Sequence, residues 1–192
     1  MKQLLLFLFS VFALWACDPT FENPPKEEKP EIPERPENAL STLTEDLVVN
    51  FDANSTLCYA DCFGDYYRTG LYMWQFYFMN FDTKEQLCIE VMVEPNDLTT
   101  PTGTFEATSD IYKKNGMLQG IIDNEGYHTY SWYIRLAKGD VSAASAPIAK
   151  GKVTITENGD GTHTATFDLN DDAYNKISGD YTGAFIVEDF RM

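Results

Sequence analysis

The chain is 192 residues long and carries 30 acidic against 14 basic side chains, a formal net charge of −16. That balance repels a phosphate backbone and leaves no basic stripe, so nucleic acid is excluded as an expected partner. Hydrophobic residues make up 44% and aromatics 14%, which is enough for one filled core beside a leader and a linker.

Residues 1–16 read as a secretory signal, with Lys2 as the charged start and Leu4 to Leu14 as the apolar run. The run is too short to cross a hydrocarbon core of about 30 Å, which takes roughly 20 apolar residues, and no other segment approaches that length. Leu14-Trp15-Ala16-Cys17 resembles a bacterial lipobox, with Leu three places before the cysteine and a small residue just before it. Trp15 departs from the small residue usual at its place. The resemblance implies cleavage before Cys17 and lipidation of its sulfur, and so a membrane partner reached through a lipid anchor. An ordinary signal peptide followed by a chance cysteine is the alternative. A thiol between a leader and a polar tail has no core to pack into. Each buried acyl CH₂ contributes about 0.8 kcal/mol and stable anchoring takes two chains, a requirement that a diacylglyceryl cysteine meets.

Residues 17–38 are the lipidated cysteine and a tether. Residues 18–38 hold six of the nine prolines, seven acids and three bases. So little is apolar that ordering entropy is not offset, and Pro-rich charged segments stay extended at about 3.1 Å per residue, roughly 60 Å of reach here. Asp18, Glu22, Glu27 and Glu28 resemble the acidic surface-export signals of Bacteroidetes lipoproteins. This implies an outer-membrane lipoprotein facing the cell surface, with a periplasm-facing location as the alternative.

From Ala39 to Met192 the pattern is that of a single all-β domain. Candidate strands are Leu47 to Asp52, Leu57 to Cys62 and the central, doubly apolar Leu71 to Phe81. Next, Leu87, Ile89, Val91 and Val93 point one way and Gln86, Glu90 and Glu94 the other, the period of a half-buried strand. Gly103 to Ala107, Met117 to Ile122 and Thr129 to Leu136 follow. Val153 and Ile155 alternate with threonines up to "ENGDGT", and Ala165, Phe167 and Leu169 alternate on the way back, a hairpin. Tyr181 to Val187 forms a third strand after it. Strands this numerous, separated by Gly, Asp, Asn and Pro, predict an antiparallel β-sandwich, with a lipocalin-like β-barrel as the alternative.

The order of "GDYYRTG", "PTGTF", "SWYIRLA", "KGKVTIT" and "FDLNDDAYNKISGDYTG" resembles small lipoproteins of gut Bacteroidetes, over most of residues 45–187. That group has no established activity, so the resemblance implies an envelope lipoprotein and carries over no catalytic residue.

With Cys17 lipidated, Cys58, Cys62 and Cys88 remain, an odd number that allows one disulfide at most. Cys58 and Cys62 would lie about 13 Å apart in a strand, beyond the disulfide limit of about 7 Å, and join only if "YAD" turns. Cys88 pairing with either, buried free thiols, or a zinc site completed by His128 or His163 are the other readings; the zinc site lacks paired-ligand spacing. Neither histidine belongs to a catalytic motif, and no nucleophile elbow, zinc-protease helix or phosphate loop occurs. A glycosidase carboxylate pair is a spatial feature that spacing alone does not reveal. The expectation is a non-enzymatic protein without a cofactor or metal. Asp168, Asn170, Asp171 and Asp172 form a weak calcium candidate, or else a solvated acidic turn. The aromatics are either core or a glycan-stacking face. Tyr66, Tyr67 and Arg68, in the most loop-like stretch, are the first expected ligand contacts, with Trp74 and Trp132 beside them. The leading expectation is a surface binding module for glycans. A structural or adhesive surface protein and a carrier of a small apolar ligand are the alternatives.

Overall fold

A computed structural model describes residues 33–123, 125–137 and 142–191. Its strands are β1 (Leu47–Phe51), β2 (Thr56–Gly64), β3 (Tyr72–Asn80), β4 (Glu85–Val93), β5 (Gly103–Thr108), β6 (Gly116–Leu118) and β7 (Ile121–Ile122). They continue as β8 (His128–Thr129), β9 (Trp132–Leu136), β10 (Ser142–Glu157), β11 (His163–Asp171), β12 (Lys176–Gly183) and β13 (Ile186–Asp189). No helix occurs among the described residues. The all-β reading therefore holds, and β3 lies between β2 and β4 as its two apolar faces require.

Eleven strands form one sheet in the order β1-β12-β11-β10-β5-β6-β4-β3-β2-β13, with β9 bridging β10 and β4, while β7 and β8 pair separately. The sheet curls until its wings face each other across a single core, so the layers of a sandwich come from one barrel-like sheet. Phe78 on β3 meets Phe167 on β11 at 5.0 Å, Tyr181 on β12 at 5.6 Å and Phe51 on β1 at 5.7 Å. Burying each such ring contributes about 2–3 kcal/mol. The alternating pattern is obeyed on both wings: Cys58, Ala60, Trp74, Phe76, Leu87, Ile89 and Val91 point in from one, Val153, Ile155, Ala165, Phe167 and Leu169 from the other.

The sixteen residues of β10 serve both wings by bending. Its first half pairs with β9 and its second half with β5 and β11, with the register shifting between Ile148 and Lys150. Gly151 sits at the bend with φ +101°, and a Cβ there would lie 2.1 Å from the Asp168 carbonyl oxygen. Three pairings are parallel, β1 with β12, β5 with β6 and β13 with β2. The expected third strand of the hairpin ends at Gly183. The chain then crosses through Phe185, packed on Phe76, Phe78 and Tyr181, and lies down as β13 on the far wing.

Outside the barrel, Leu71, Met73, Met92 and Leu118 form a second small core, with Phe63, Tyr67, Ile111 and Tyr130 packed on it. The N-terminal strap is latched to the β11–β12 turn. Leu40 and Ser41 donate their backbone N–H groups to Asp172 (2.6 and 3.0 Å), and the Ser41 hydroxyl donates to Asp171 (2.6 Å). Arg35, counted with the tether in the sequence reading, donates from Nη1 to the Leu43 carbonyl at 2.9 Å.

Candidate ligand-binding recess

The loop from Asp65 to Leu71 joins β2 to β3 over the second core. It opens at Gly64, where the β2–β3 register shifts and φ is +67°. Asp65 closes it: Oδ1 accepts the backbone N–H groups of Thr69 (2.7 Å) and Gly70 (3.1 Å), and its carbonyl accepts that of Arg68 (3.1 Å). These bonds hold Arg68 at φ +56°, a left-handed conformation that a non-glycine residue adopts only when its surroundings impose it.

The C-terminal segment forms the other wall. Phe190 donates its backbone N–H to the Cys62 carbonyl at 2.8 Å and stacks on Phe63 at 5.2 Å. Arg191 donates from Nε and Nη2 to the two oxygens of Asp189, at 2.8 and 2.9 Å. That fork holds the Asp189 carboxyl below its usual range, and the guanidinium of Arg191 lies 6.0 Å from the ring centre of Tyr72. Its stem crosses Gly64 so closely that a Cβ there would stand 3.0 Å from Arg191 Cγ. Between the walls is an open recess of about 440 Å³ lined by Phe63, Gly64, Asp65, Tyr66, Arg68, Tyr72 and Arg191. Tyr66 presents 56% of its surface.

Tyr67 turns the other way. Its ring packs edge-on to Tyr66 at 5.0 Å, and its hydroxyl donates to Glu90 Oε1 at 2.7 Å. Glu90 is on the outer, polar face of β4 as its alternation predicts, yet only 3% of it is exposed, because Tyr67 and the second core cover it. Burial pushes its carboxyl up to about 7, against the stabilising hydrogen bond from Tyr67. Register places Gln75 beside Glu90, Asp61 beside Gln75 and Glu188 beside Asp61, a polar row across four strands. Asp61 is pushed up to about 6, by burial first and the charge of Glu188 second.

Two expected contacts, Tyr66 and Arg68, therefore meet in one recess, while Tyr67 supports it from below. Trp74 does not join them. It is completely buried in the main core on the inner face of β3, one of two faces that sequence alone left equivalent, and its Nε1 has no hydrogen-bond partner. Trp132 is on the outer face of β9, edge-on to Tyr77 at 5.6 Å and near His128 at 5.6 Å. It belongs to a row with Cys88, Tyr77 and Tyr59, separate from the loop. A smaller recess of about 220 Å³, lined by Ile111, Leu118, Ile121 and Tyr130 among others, has no charged side chain.

The remaining candidates find other employment. Cys58, Cys62 and Cys88 are free and buried. Cys58 and Cys62 point inward four residues apart on the extended strand β2, too far to join, while Cys88 is across the sheet on the outer face of β4, so the possible disulfide is not formed. Of the calcium candidates, Asp171 and Asp172 form the latch to the N-terminal strap. Asp171 accepts from Ser41, Ala173 N, Asn175 N and Asn175 Nδ2; Asp172 holds the strap; Asp168 pairs with Lys176 at 3.1 Å. Asn170 pairs with Lys150 and Lys176 in the ladder. Among the described residues no group of three or more His, Cys, Asp or Glu side chains is placed to hold a metal ion. Cys17 lies outside the described residues. His163 stacks on Phe185 at 4.8 Å.

Compared with known proteins, the chain matches no family model, no curated protein and no solved structure. The sequence reading missed Arg191, Asp189, Phe190 and Phe63. The Asp-x-Arg spacing was the only hint, because the parallel crossing that brings β13 to β2 leaves no local signature.

Proposed function

We propose that this protein is a lipid-anchored envelope protein whose domain binds glycans, without catalysis, at the recess between the Asp65–Leu71 loop and Arg191. The observation that carries the reading is the combination of an exposed tyrosine face with forked donors on a loop already closed by its own hydrogen bonds. A sugar presents an apolar C–H face that stacks on an aromatic ring and hydroxyls that accept from guanidinium groups. A loop fixed before binding lowers the ordering cost that weakens most ligand contacts. Cys17 supplies the anchor, the Pro/Glu-rich tether the reach, and the acidic residues after Cys17 the address at the outer surface of an outer membrane, as the lipoprotein resemblance implies.

The adhesive reading has one observation in its favour. β13 ends the sheet with all four residues exposed, Ile186 and Val187 among them, and such an edge accepts an added strand. The apolar-carrier reading gains nothing from an interior filled by Trp74, Phe76, Phe78, Phe105 and Tyr133. A glycan array probed with the full chain and with Tyr66→Ala tests the proposal. Binding that the substitution weakens at least tenfold supports it. An array without a single hit, or hits indifferent to Tyr66→Ala, overturns it.

A further inference from the structure

The sequence holds four arginines, at 35, 68, 135 and 191, and two of them line this one recess in a chain of net charge −16. Composition alone does not produce that convergence. The two cations are not equivalent. Arg191 is engaged on two nitrogens by Asp189, so the pair is close to neutral. Arg68 has neither an acidic partner nor a side-chain hydrogen bond among the described residues, although its backbone is held in place by Asp65. The recess's own carboxylate, Asp65, spends Oδ1 on the amides of Thr69 and Gly70. What the recess offers a ligand is therefore one uncommitted guanidinium beside an exposed tyrosine.

We infer that the ligand is an acidic glycan, whose carboxylate or sulfate ester pairs with Arg68 while a sugar ring stacks on Tyr66; the inference rests on the glycan reading above. A guanidinium recognises a planar or tetrahedral oxyanion through two parallel N–H donors, a stronger and more directional contact than a neutral hydroxyl makes. One uncommitted cation matches one negative charge per bound sugar. The protein's overall charge does not forbid this. Charges beyond a Debye length of about 8 Å are screened at physiological ionic strength, so the contact is decided within the recess, where Arg68 and Arg191 stand with Asp65 and Asp189 and the local balance is neutral rather than −16.

The test is binding of the full-length protein to an array carrying uronate-, sialate- and sulfate-bearing glycans beside their uncharged counterparts, followed by calorimetry on the best pair. At least one acidic glycan binds tenfold or more tighter than its neutral counterpart, about 1.4 kcal/mol. Arg68→Gln removes that preference, weakening the acidic glycan at least tenfold more than its neutral counterpart, whereas Tyr66→Ala weakens both alike. The carboxylate and sulfate arms show which group is read. A thermal melt of each variant equal to that of the native protein separates lost contacts from lost fold. Equal binding of acidic and neutral glycans, or a preference that survives Arg68→Gln, overturns the inference. Neutral binding that still responds to Tyr66→Ala keeps the glycan reading while this inference fails; binding of neither class overturns both.

Discussion

Glu90→Gln replaces a buried carboxyl by an uncharged amide of the same shape. Glu90 is 3% exposed, accepts from Tyr67 at 2.7 Å, and its backbone N–H donates to Ser131 Oγ at 3.1 Å. Its carboxyl is pushed up from 4.5 to about 7. Because the folded state holds the proton more tightly, it binds more protons than the unfolded chain between those two values. Stability from this group is thus fully present below about pH 4.5 and falls as pH rises through about 7. At about 1.4 kcal/mol for each tenfold change in proton affinity, the loss is about 3 kcal/mol. A glutamine cannot ionise and still accepts from Tyr67, so it escapes that loss. Asp61, raised to about 6, acts in the same direction and is present in both proteins, so it cancels in the comparison. Urea unfolding at pH 4.5, 6 and 8 provides the assay. Native and variant proteins are close at pH 4.5, and the variant is about 3 kcal/mol more stable at pH 8. Parallel pH profiles would refute the reasoning, because they would mean that Glu90 stays charged and solvated in the folded protein.

Cys17→Ala moves the protein from the membrane fraction to the soluble fraction, read by detergent partitioning; a variant still in the membrane contradicts the anchor. Gly64→Ala forces a methyl into left-handed backbone and against the Arg191 stem, costing about 1–2 kcal/mol in unfolding free energy and weakening glycan binding several-fold. Unchanged values for both would show that Arg191 does not lie on Gly64. Asp171→Ala leaves the donors of Ser41, Ala173 and Asn175 without their acceptor, a loss of about 1–3 kcal/mol. Hydrogen exchange at Leu40 to Leu43 accelerates with it, and unchanged exchange there would disprove the latch.

The strands were legible wherever one face is dry. β4 and the β10–β11 hairpin follow from alternation, because burial on one face imposes a period of two, and β3 follows from an apolar aromatic run bounded by turn residues. The breaks were not. Residues 117–122 and 129–136 each read as one strand and form two: Gln119-Gly120 and Tyr130-Ser131 leave the ladder, the first pair at a lone glycine inside an apolar run and the second at Tyr130, whose φ of +65° no turn residue announces. The site was half legible. "GDYYRTG" announces a loop, and Tyr66 and Arg68 line the recess, but no local pattern separates Tyr66 facing out from Tyr67 facing Glu90. Trp74 illustrates the same ambiguity, being in a run apolar on both faces. Arg191 was beyond reach because its place depends on a parallel crossing some 120 residues later in the chain than β2, a pairing written in no turn.

The proposed glycan site is the recess between the Asp65–Leu71 loop and Arg191. Amide chemical shifts recorded while the full-length protein is titrated with the strongest array ligand test it most directly. A glycan seated there gives saturable shifts at residues 63–72 and 189–191, with the Tyr59–Tyr77–Trp132 row unmoved. Shifts centred on that row, or on the β13 edge with the loop silent, would contradict it.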